Sequence, residues 1–300
     1  TSVMAVRNAS PDLFVVGWAR NWIELWDPTK FDLLFVSSEL ARRHLTAIGD
    51  APTCLLPIAT NAVRFGTGHA APELATDYCF VGNRWGMSRE AIDMIDPAAS
   101  PFRFALYGKG WEDEPRLAPF WKGFLPYDRL PALYASTRIV VDDANIATKG
   151  WGSVNSRVFD ALAAGALVLT NGAAGARETF GDRLPVYANR QELEDLLWRY
   201  LSDEPARRAL VDSLRADVAK NHDYRNRAQD ALAGLADALA GHRIVIKVAA
   251  PTKVSIQWGD LAFATNLARA FVALGVRAGV CTRDMWESAE ARRADVVISL

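Results

Sequence analysis

The sequence predicts an α/β fold with parallel sheets, on three observations. Short apolar runs alternate with amphipathic helical stretches over residues 13–58 and again from residue 77. Strand after strand of the second series ends in a loop carrying Gly, Asn, Arg or acidic residues. The alternation then restarts at His242, after an alanine-rich helix.

Leu13–Trp18 (LFVVGW), Phe31–Ser37 (FDLLFVS) and Leu55–Ile58 read as buried strands, with Ser38 capping a helix that runs to Ile48. Residues 20–26 follow a strand C-terminus, the edge where open α/β sheets bind ligands. Arg20, Asn21 and Trp22 are therefore cleft candidates; a helix start that packs Trp22 and Trp26 into the core is the alternative. Residues 61–76 show little periodicity, contain Gly66, Gly68 and Pro72, and read as a linker.

The second series has strands at Tyr78–Val81, Phe102–Tyr107, Ile139–Asp142 and Ala166–Thr170. Their C-terminal loops bring Gly82, Asn83, Arg84 and Arg89, then Gly108, Lys109 and Gly110, then Asp143, then Asn171 to Gly175 with Glu178 beyond. Glycines at strand ends allow close backbone approach, and arginines grip phosphate oxygens. One such loop arises easily by chance, but four along one sheet edge point to a ligand cleft. Asp142 and Asp143 are adjacent, so on a strand they point to opposite faces. No Asp-x-Asp pair is present to hold a metal, and none is expected.

The stretch from Trp151 to Gly175 (WGSVNSRVFDALAAGALVLTNGAAG) organises this series. Val154, Val158, Phe159 and Leu162 recur at helical spacing, Ser153 can cap the start, and Gly165 ends the helix. The opposite face carries Ser153, Ser156, Arg157 and Asp160, with Asn155 beside it. The helix start and Arg157 suit an anion, and Asp160 suits hydroxyl donors. An ordinary surface helix with a polar outer face would look the same.

Helices follow at Arg190–Leu201, Glu204–Lys220 and Tyr224–Leu239. The third series has strands at His242–Ala249, Val276–Cys281 and Asp295–Leu300. Its helix runs from Leu261 to Leu274 behind a loop that ends in Trp258, Gly259 and Asp260.

Half of the 300 residues are hydrophobic and the formal net charge is −1, which fits a globular protein and gives no electrostatic case for nucleic acid. Ten Trp are many for this length, and some are expected to line a cleft. Cys54, Cys79 and Cys281 form no metal or disulfide pattern, so a reducing, cytoplasmic setting is expected. No apolar run approaches the roughly 20 residues of a spanning helix, and no signal peptide is visible. The sequence reads as a segment of a longer chain.

Several pieces together resemble a known family: FVGNRWG, LYGKGW, KGFLPYDRLPALYAST, NSRVFDALAAGALVLTN and HDYRNRA. They resemble the nucleotide-sugar-binding domain of GT-B glycosyltransferases, nearest the spore-maturation, CgeB-like members of the group 1 type. WARNWIELW and FDLLFVSS resemble the late part of that family's N-terminal domain, and WGDLAFATNLARAFVALG the early part. The resemblance implies a fold of two Rossmann-like domains and the following division. Residues 1–60 are the later half of an N-terminal domain, 61–76 a linker, and 77–221 the nucleotide-sugar domain. Residues 222–241 form a linking helix, and 242–300 are the early half of an N-terminal domain. This order implies a cut from a tandem pair of transferases or a circular permutation, and the tandem origin is preferred. A permuted domain would join the two halves into one sheet, whereas a tandem cut would leave residues 242–300 a separate, incomplete unit tied by the linking helix. The two halves are still expected to close together, since that buries the most apolar surface.

The resemblance also implies roles. Asp160 would bind the nucleotide ribose, and Arg84 and Arg89 the pyrophosphate. Glu178 matches a recurrent Gly-x-x-Glu that begins at Gly175. Eight residues before Asp160 such enzymes carry an acidic residue, where this chain has Gly152. The implied activity is metal-independent transfer of a sugar from a nucleotide donor to a cell-surface glycan or a protein, without a cofactor. Asp260 is the candidate base, with a helix N-cap as its alternative role. A GT-B shell that binds nucleotide or glycan without turnover is the competing function, and a sugar-nucleotide epimerase another. An NAD enzyme is disfavoured, because the dinucleotide glycine fingerprint is missing.

Overall fold

The computed structural model describes residues 14–253 and 259–300. The apolar runs become strands, and every strand pairing is parallel. The first unit is a three-stranded sheet in the order β1 (Val16–Ala19), β2 (Leu33–Val36), β3 (Thr53–Leu55). All four residues of β2 are buried, as a strand covered on both faces requires. Helix α1 (Glu39–Ile48) crosses from β2 to β3, with Ser38 Oγ accepting from the Ala41 amide at 3.2 Å.

The linker is more structured than its sequence predicts. Asn61 caps a short helix, α2 (Ala62–Gly66), and Phe65 on that helix is fully buried against Tyr134. The second unit is a four-stranded sheet in the order β5-β4-β6-β7, from β4 (Thr76–Val81), β5 (Phe104–Tyr107), β6 (Thr137–Asp142) and β7 (Leu167–Thr170). Helices α3 (Glu90–Met94), α4 (Leu130–Ala135), α5 (Ser156–Ala164), α6 (Ala173–Phe180), α7 (Arg190–Ser202) and α8 (Glu204–Asn221) follow in order. Gly165 ends α5 with φ 94°, in the left-handed region, as the sequence predicts.

Helix α9 (Tyr224–Ala238) then returns to the first unit. Gly234 permits that return, because a Cβ there would lie 2.9 Å from the Phe35 ring and 3.2 Å from Cys54 Sγ. Leu235 packs both on the Leu33, Phe35 and Leu56 cluster and on the Ile244, Ile246 and Val248 cluster. The third unit is the sheet β10-β8-β9, from β8 (Arg243–Lys247), β9 (Arg277–Cys281) and β10 (Val296–Ser299), with helices α10 (Gly259–Ala273) and α11 (Ala289–Arg292).

Among the described residues, β1–β3 and β8–β10 are separate sheets, so the joint sheet of a permuted domain is not formed. The two halves do close on each other, through α9, whose apolar residues serve both, and through Phe14, which borders both clusters.

Where the chain crosses into and out of the second unit, the two crossings lie together. Thr60 bridges Asp223, the Thr60 amide donates to the His222 carbonyl at 3.0 Å, and the Tyr224 amide donates to the Thr60 carbonyl at 2.9 Å. Arg227, 8 % exposed, donates to the Pro57 carbonyl and to His222 Nδ1, each at 2.9 Å. Burial and the neighbouring Arg227 push the His222 imidazole down to about 4, so it is neutral at pH 7 and can accept that bond.

Replacing Gly234 with Val is expected to destabilise the protein by about 1–3 kcal/mol through overpacking against Phe35 and Cys54. Urea denaturation checks this, and unchanged stability would contradict the close packing of α9.

Candidate active site at the carboxyl edge of the central sheet

Strands β4, β5, β6 and β7 end at Val81, Tyr107, Asp142 and Thr170, and the glycine loops converge on that edge. Gly108 has φ 140°, and a Cβ on it would lie 2.1 Å from the Gly82 carbonyl oxygen, so only glycine fits. The two loops zip together. The Arg84 amide donates to the Lys109 carbonyl at 3.0 Å, and the Lys109 amide donates to Asn83 Oδ1 at 2.8 Å. Gly110 continues the turn with φ 79°. Arg84 lies over the Trp111 ring and 3.3 Å from Glu114, with its side chain 35 % exposed. Lys109 is exposed, with Nζ 4.8 Å from the Phe124 ring centre. Gly82, Asn83, Arg84, Gly108, Lys109 and Gly110 are therefore brought together.

Beneath the loops lies a buried charge network that the sequence did not disclose. Asp142 Oδ1 accepts from Arg157 Nη1 at 2.7 Å and Asn155 Nδ2 at 2.6 Å, and its Oδ2 accepts from Thr170 Oγ1 at 2.7 Å. Asp143 Oδ2 accepts from Arg89 Nε at 2.6 Å. Two expectations are corrected here. Arg157 does not lie on an open polar face, because it pairs with Asp142 and donates to the Val81 carbonyl at 2.7 Å. Arg89, 6 % exposed, is buried rather than open, with Nε donating to Asp143 and Nη1 to the Asn83 carbonyl. Desolvating a carboxylate without a counter-charge costs several kcal/mol, so each arginine is held where it neutralises one.

The cap of α5 is also corrected. Asn155 is the N-cap, accepting from the Arg157 amide at 3.0 Å. The residues before it turn through Gly152, which has φ 69°, so the helix starts later than a Ser153 cap would allow. Ser153 is buried, and its Oγ lies 2.6 Å from Ser37 Oγ.

That contact belongs to a seam between the first and second units. The Trp22 amide donates to the Ala147 carbonyl at 3.2 Å, and Ser38 Oγ to the Trp151 carbonyl at 2.5 Å. Trp151 Nε1 donates to Glu24 Oε2 at 2.9 Å, and the Trp151 ring packs against His44 with centroids 4.7 Å apart. Glu178 Oε1 accepts from the Glu39 amide at 2.9 Å, which gives Glu178 a seam contact. Gly175 abuts Gly152, where a Cβ would lie 2.5 Å from the Gly152 oxygen. No side chain caps α6, so its first-turn amides are not engaged by a cap. Arg20, Asn21 and Trp22 lie exposed beside this seam, with the Arg20 guanidinium over the Trp18 ring.

Asp160 is 4 % exposed, so the expectation of an open polar face is corrected for it too. Six of the nine α5 residues are buried, because α5 is covered on both sides. Asp160 Oδ1 accepts from Thr60 Oγ1 at 2.5 Å. Burial pushes the carboxyl up to about 7, against the opposing pull of Thr60, Arg157 and Arg64. Tyr127, Tyr134 and Tyr224 feel the Asp160 charge from the surrounding elements. Thr60, Arg64, Tyr127 and Tyr224 were not singled out in the sequence, since they lie in separate segments that only folding brings to α5.

Asp260 and Gly259 are exposed at the start of α10, in the third unit; Trp258 lies outside the described residues. Among the described residues, no hydrogen bond or ion pair joins α10 to the second unit. Among the described residues no three His, Cys, Asp or Glu side chains group as a metal site requires.

Residues 89–233 match a family model described as glycosyl transferase-like. The sequence matches no curated protein. Solved structures similar to this chain include a glycosyltransferase from Rickettsia africae, with 14 % identity over 70 % of this chain and 64 % of that one, TM-score 0.53. Staphylococcus aureus TarM, in complex with fondaparinux, alpha-GlcNAc-glycerol and UDP, has 12 % identity over 73 % of this chain and 50 % of its own, TM-score 0.57. Anabaena HepE in complex with UDP-glucose has 13 % identity over 72 % of this chain and 70 % of its own, TM-score 0.56. The chain thus spans less than two thirds of the Rickettsia enzyme and half of TarM. At such identities the likeness is one of fold, which is α/β of the GT-B type.

The raised Asp160 carboxyl has a stability consequence. Its usual value is 3.8 and its folded value about 7, so between those values the native state holds the extra proton. Stability contributed by that proton is lost as pH rises through the folded value. Asp160→Asn is therefore expected to stabilise the unliganded protein by about 2 kcal/mol at pH 8.5 and by little at pH 5. Urea titrations at both pH values check this; a gain that does not grow with pH would contradict it.

Proposed function

We propose that the chain binds a nucleotide-sugar donor at the carboxyl edge of the β4–β7 sheet and transfers the sugar to a glycan or protein acceptor. The observation that carries the reading is the way Arg157 binds α5 to the Val81–Gly82 strand end. That strand end carries the zipped glycine loops with the partly exposed Arg84 and Lys109, and the helix it holds carries the carboxyl group of Asp160. The glycosyl transferase-like match over residues 89–233 supports it, as do fold relatives holding UDP or UDP-glucose.

In such a transfer the bond from the sugar's anomeric carbon to the diphosphate breaks, and a nucleoside diphosphate leaves as an anion. Arg89 and Arg157 are already neutralised, so Arg84, Lys109 and loop amides would hold that charge. The amides of the first turn of α6 add to them. The Asp160 carboxylate would accept from ribose hydroxyls. No metal or cofactor is assigned a role, and the CgeB-like subfamily and cytoplasmic reaction remain part of the same proposal. Among the described residues no helix is long and apolar enough to cross a membrane.

A second reading, donor binding without turnover, is favoured by one observation: Gly152 supplies no side chain at the position where the resemblance implies an acidic group for the sugar. Release of nucleoside diphosphate from a nucleotide sugar, with and without acceptor glycans, separates the two readings.

The arginines should divide by burial. Arg84→Ala is expected to weaken nucleoside diphosphate binding by about 1.5–3 kcal/mol while leaving the nucleoside unchanged. Arg89→Ala should instead cost about 3–5 kcal/mol of folding stability, since Asp143 is left buried and unpaired. Calorimetric binding and urea denaturation check both; equal affinity losses for diphosphate and nucleoside in Arg84→Ala would contradict the assignment.

A further inference from the structure

Asp160 offers two oxygens, and the protein occupies one. Oδ1 takes the Thr60 hydroxyl at 2.5 Å, whereas among the described residues no protein group donates to Oδ2. Oδ2 is not sealed either, because the one fully buried side-chain polar atom without a partner among the described residues is Trp286 Nε1. Thr60 itself is wholly buried and held by its backbone on both sides, through His222 and Tyr224. Its hydroxyl is therefore a fixed donor. The charged and titratable groups facing this carboxyl are Arg157 on its own helix, Arg64 on α2, and Tyr127, Tyr134 and Tyr224.

We propose that Thr60 is a positioning residue for the ligand site, its hydroxyl fixing Asp160 Oδ1 so that Oδ2 is presented to vicinal hydroxyls of a bound ligand. The inference rests on the donor-site reading above and deepens it. A carboxylate free to rotate in a buried site would satisfy itself on whichever donor came near. With one oxygen tied, the carboxylate plane is fixed and Oδ2 is left as the acceptor for a ligand, and the hydrogen bond also favours the ionised form, the better acceptor. The donor comes from the crossing between two units, so the acceptor's orientation is tied to the packing of that crossing.

The test uses the full chain with UDP and 2′,3′-dideoxy-UDP as probes, titrated from pH 5.5 to 9. Thr60→Val should lose about tenfold in UDP affinity at pH 7 while binding dideoxy-UDP as the wild type does. The pH midpoint of its UDP binding should move upward, because the ionised carboxylate has lost a donor. Thr60→Ser should restore both affinity and midpoint, and thermal melts of the two variants establish that each is folded. Equal losses for the two probes, or an unmoved midpoint, would overturn the role of Thr60 while leaving the donor site standing. Wild-type protein that binds neither UDP nor any other nucleoside diphosphate would overturn the donor site, and the role of Thr60 with it.

Discussion

Asp142 ends strand β6 and Asp143 follows it, each with its side chain 2 % exposed, and their neutralisation governs how the rest of the edge is built. Each of the two carboxylates is met by an arginine of its own. Arg157 comes from α5 to the first, and Arg89 comes from the loop after β4 to the second. Each arginine then uses a second donor on backbone, Arg157 on the Val81 carbonyl and Arg89 on the Asn83 carbonyl. Charge compensation thereby fixes a helix, a loop and a strand end against one another. The orientation of α5 that places Asp160 follows from that constraint, as does the shape of the loop that carries Arg84.

The same pairing sorts the cations by role. A cation already matched to a buried carboxylate has little left to offer a diphosphate. One that is partly exposed and loosely paired, as Arg84 is with Glu114 at 3.3 Å, retains its field for a ligand. Lys109, exposed beside Phe124, is in the same position. Two arginines that look alike in sequence, five residues apart, thus do different physical work.

Much of the fold was legible in the sequence, and the reasons are local. Val81, Tyr107, Asp142 and Thr170 end their strands where the apolar runs stop, because a buried parallel strand must be apolar throughout and a loop must not. Gly82, Gly108 and Gly165 announced themselves because the backbone demands them. The charge network was hidden, since the partners Arg89 and Asp143 lie far apart in sequence and only sheet order brings them together. Asp160 looked exposed because its neighbours at helical spacing are polar, but α5 is packed between other helices and the sheet and buries it. Thr60 carried no signal at all. Ser153 and Asn155 were equally good caps by chemistry, and the left-handed turn at Gly152 chose between them. The separation of the outer sheets was invisible for a similar reason: nothing short of three-dimensional packing shows that α9 serves both.

The bridge between Thr60 and Asp223 means that the chain enters and leaves the central unit at neighbouring points. A segment with adjoining ends is modular in a topological sense. It can be inserted into a host chain, or exchanged for another of its kind, with little disturbance to what flanks it. The intervening segment meets this condition through a bridge of a few backbone hydrogen bonds, reinforced by Arg227 on the Pro57 carbonyl. Recombination between related chains would need to preserve that junction, α9 behind it and the seam that Trp151, Ser153 and Glu178 make with the first unit.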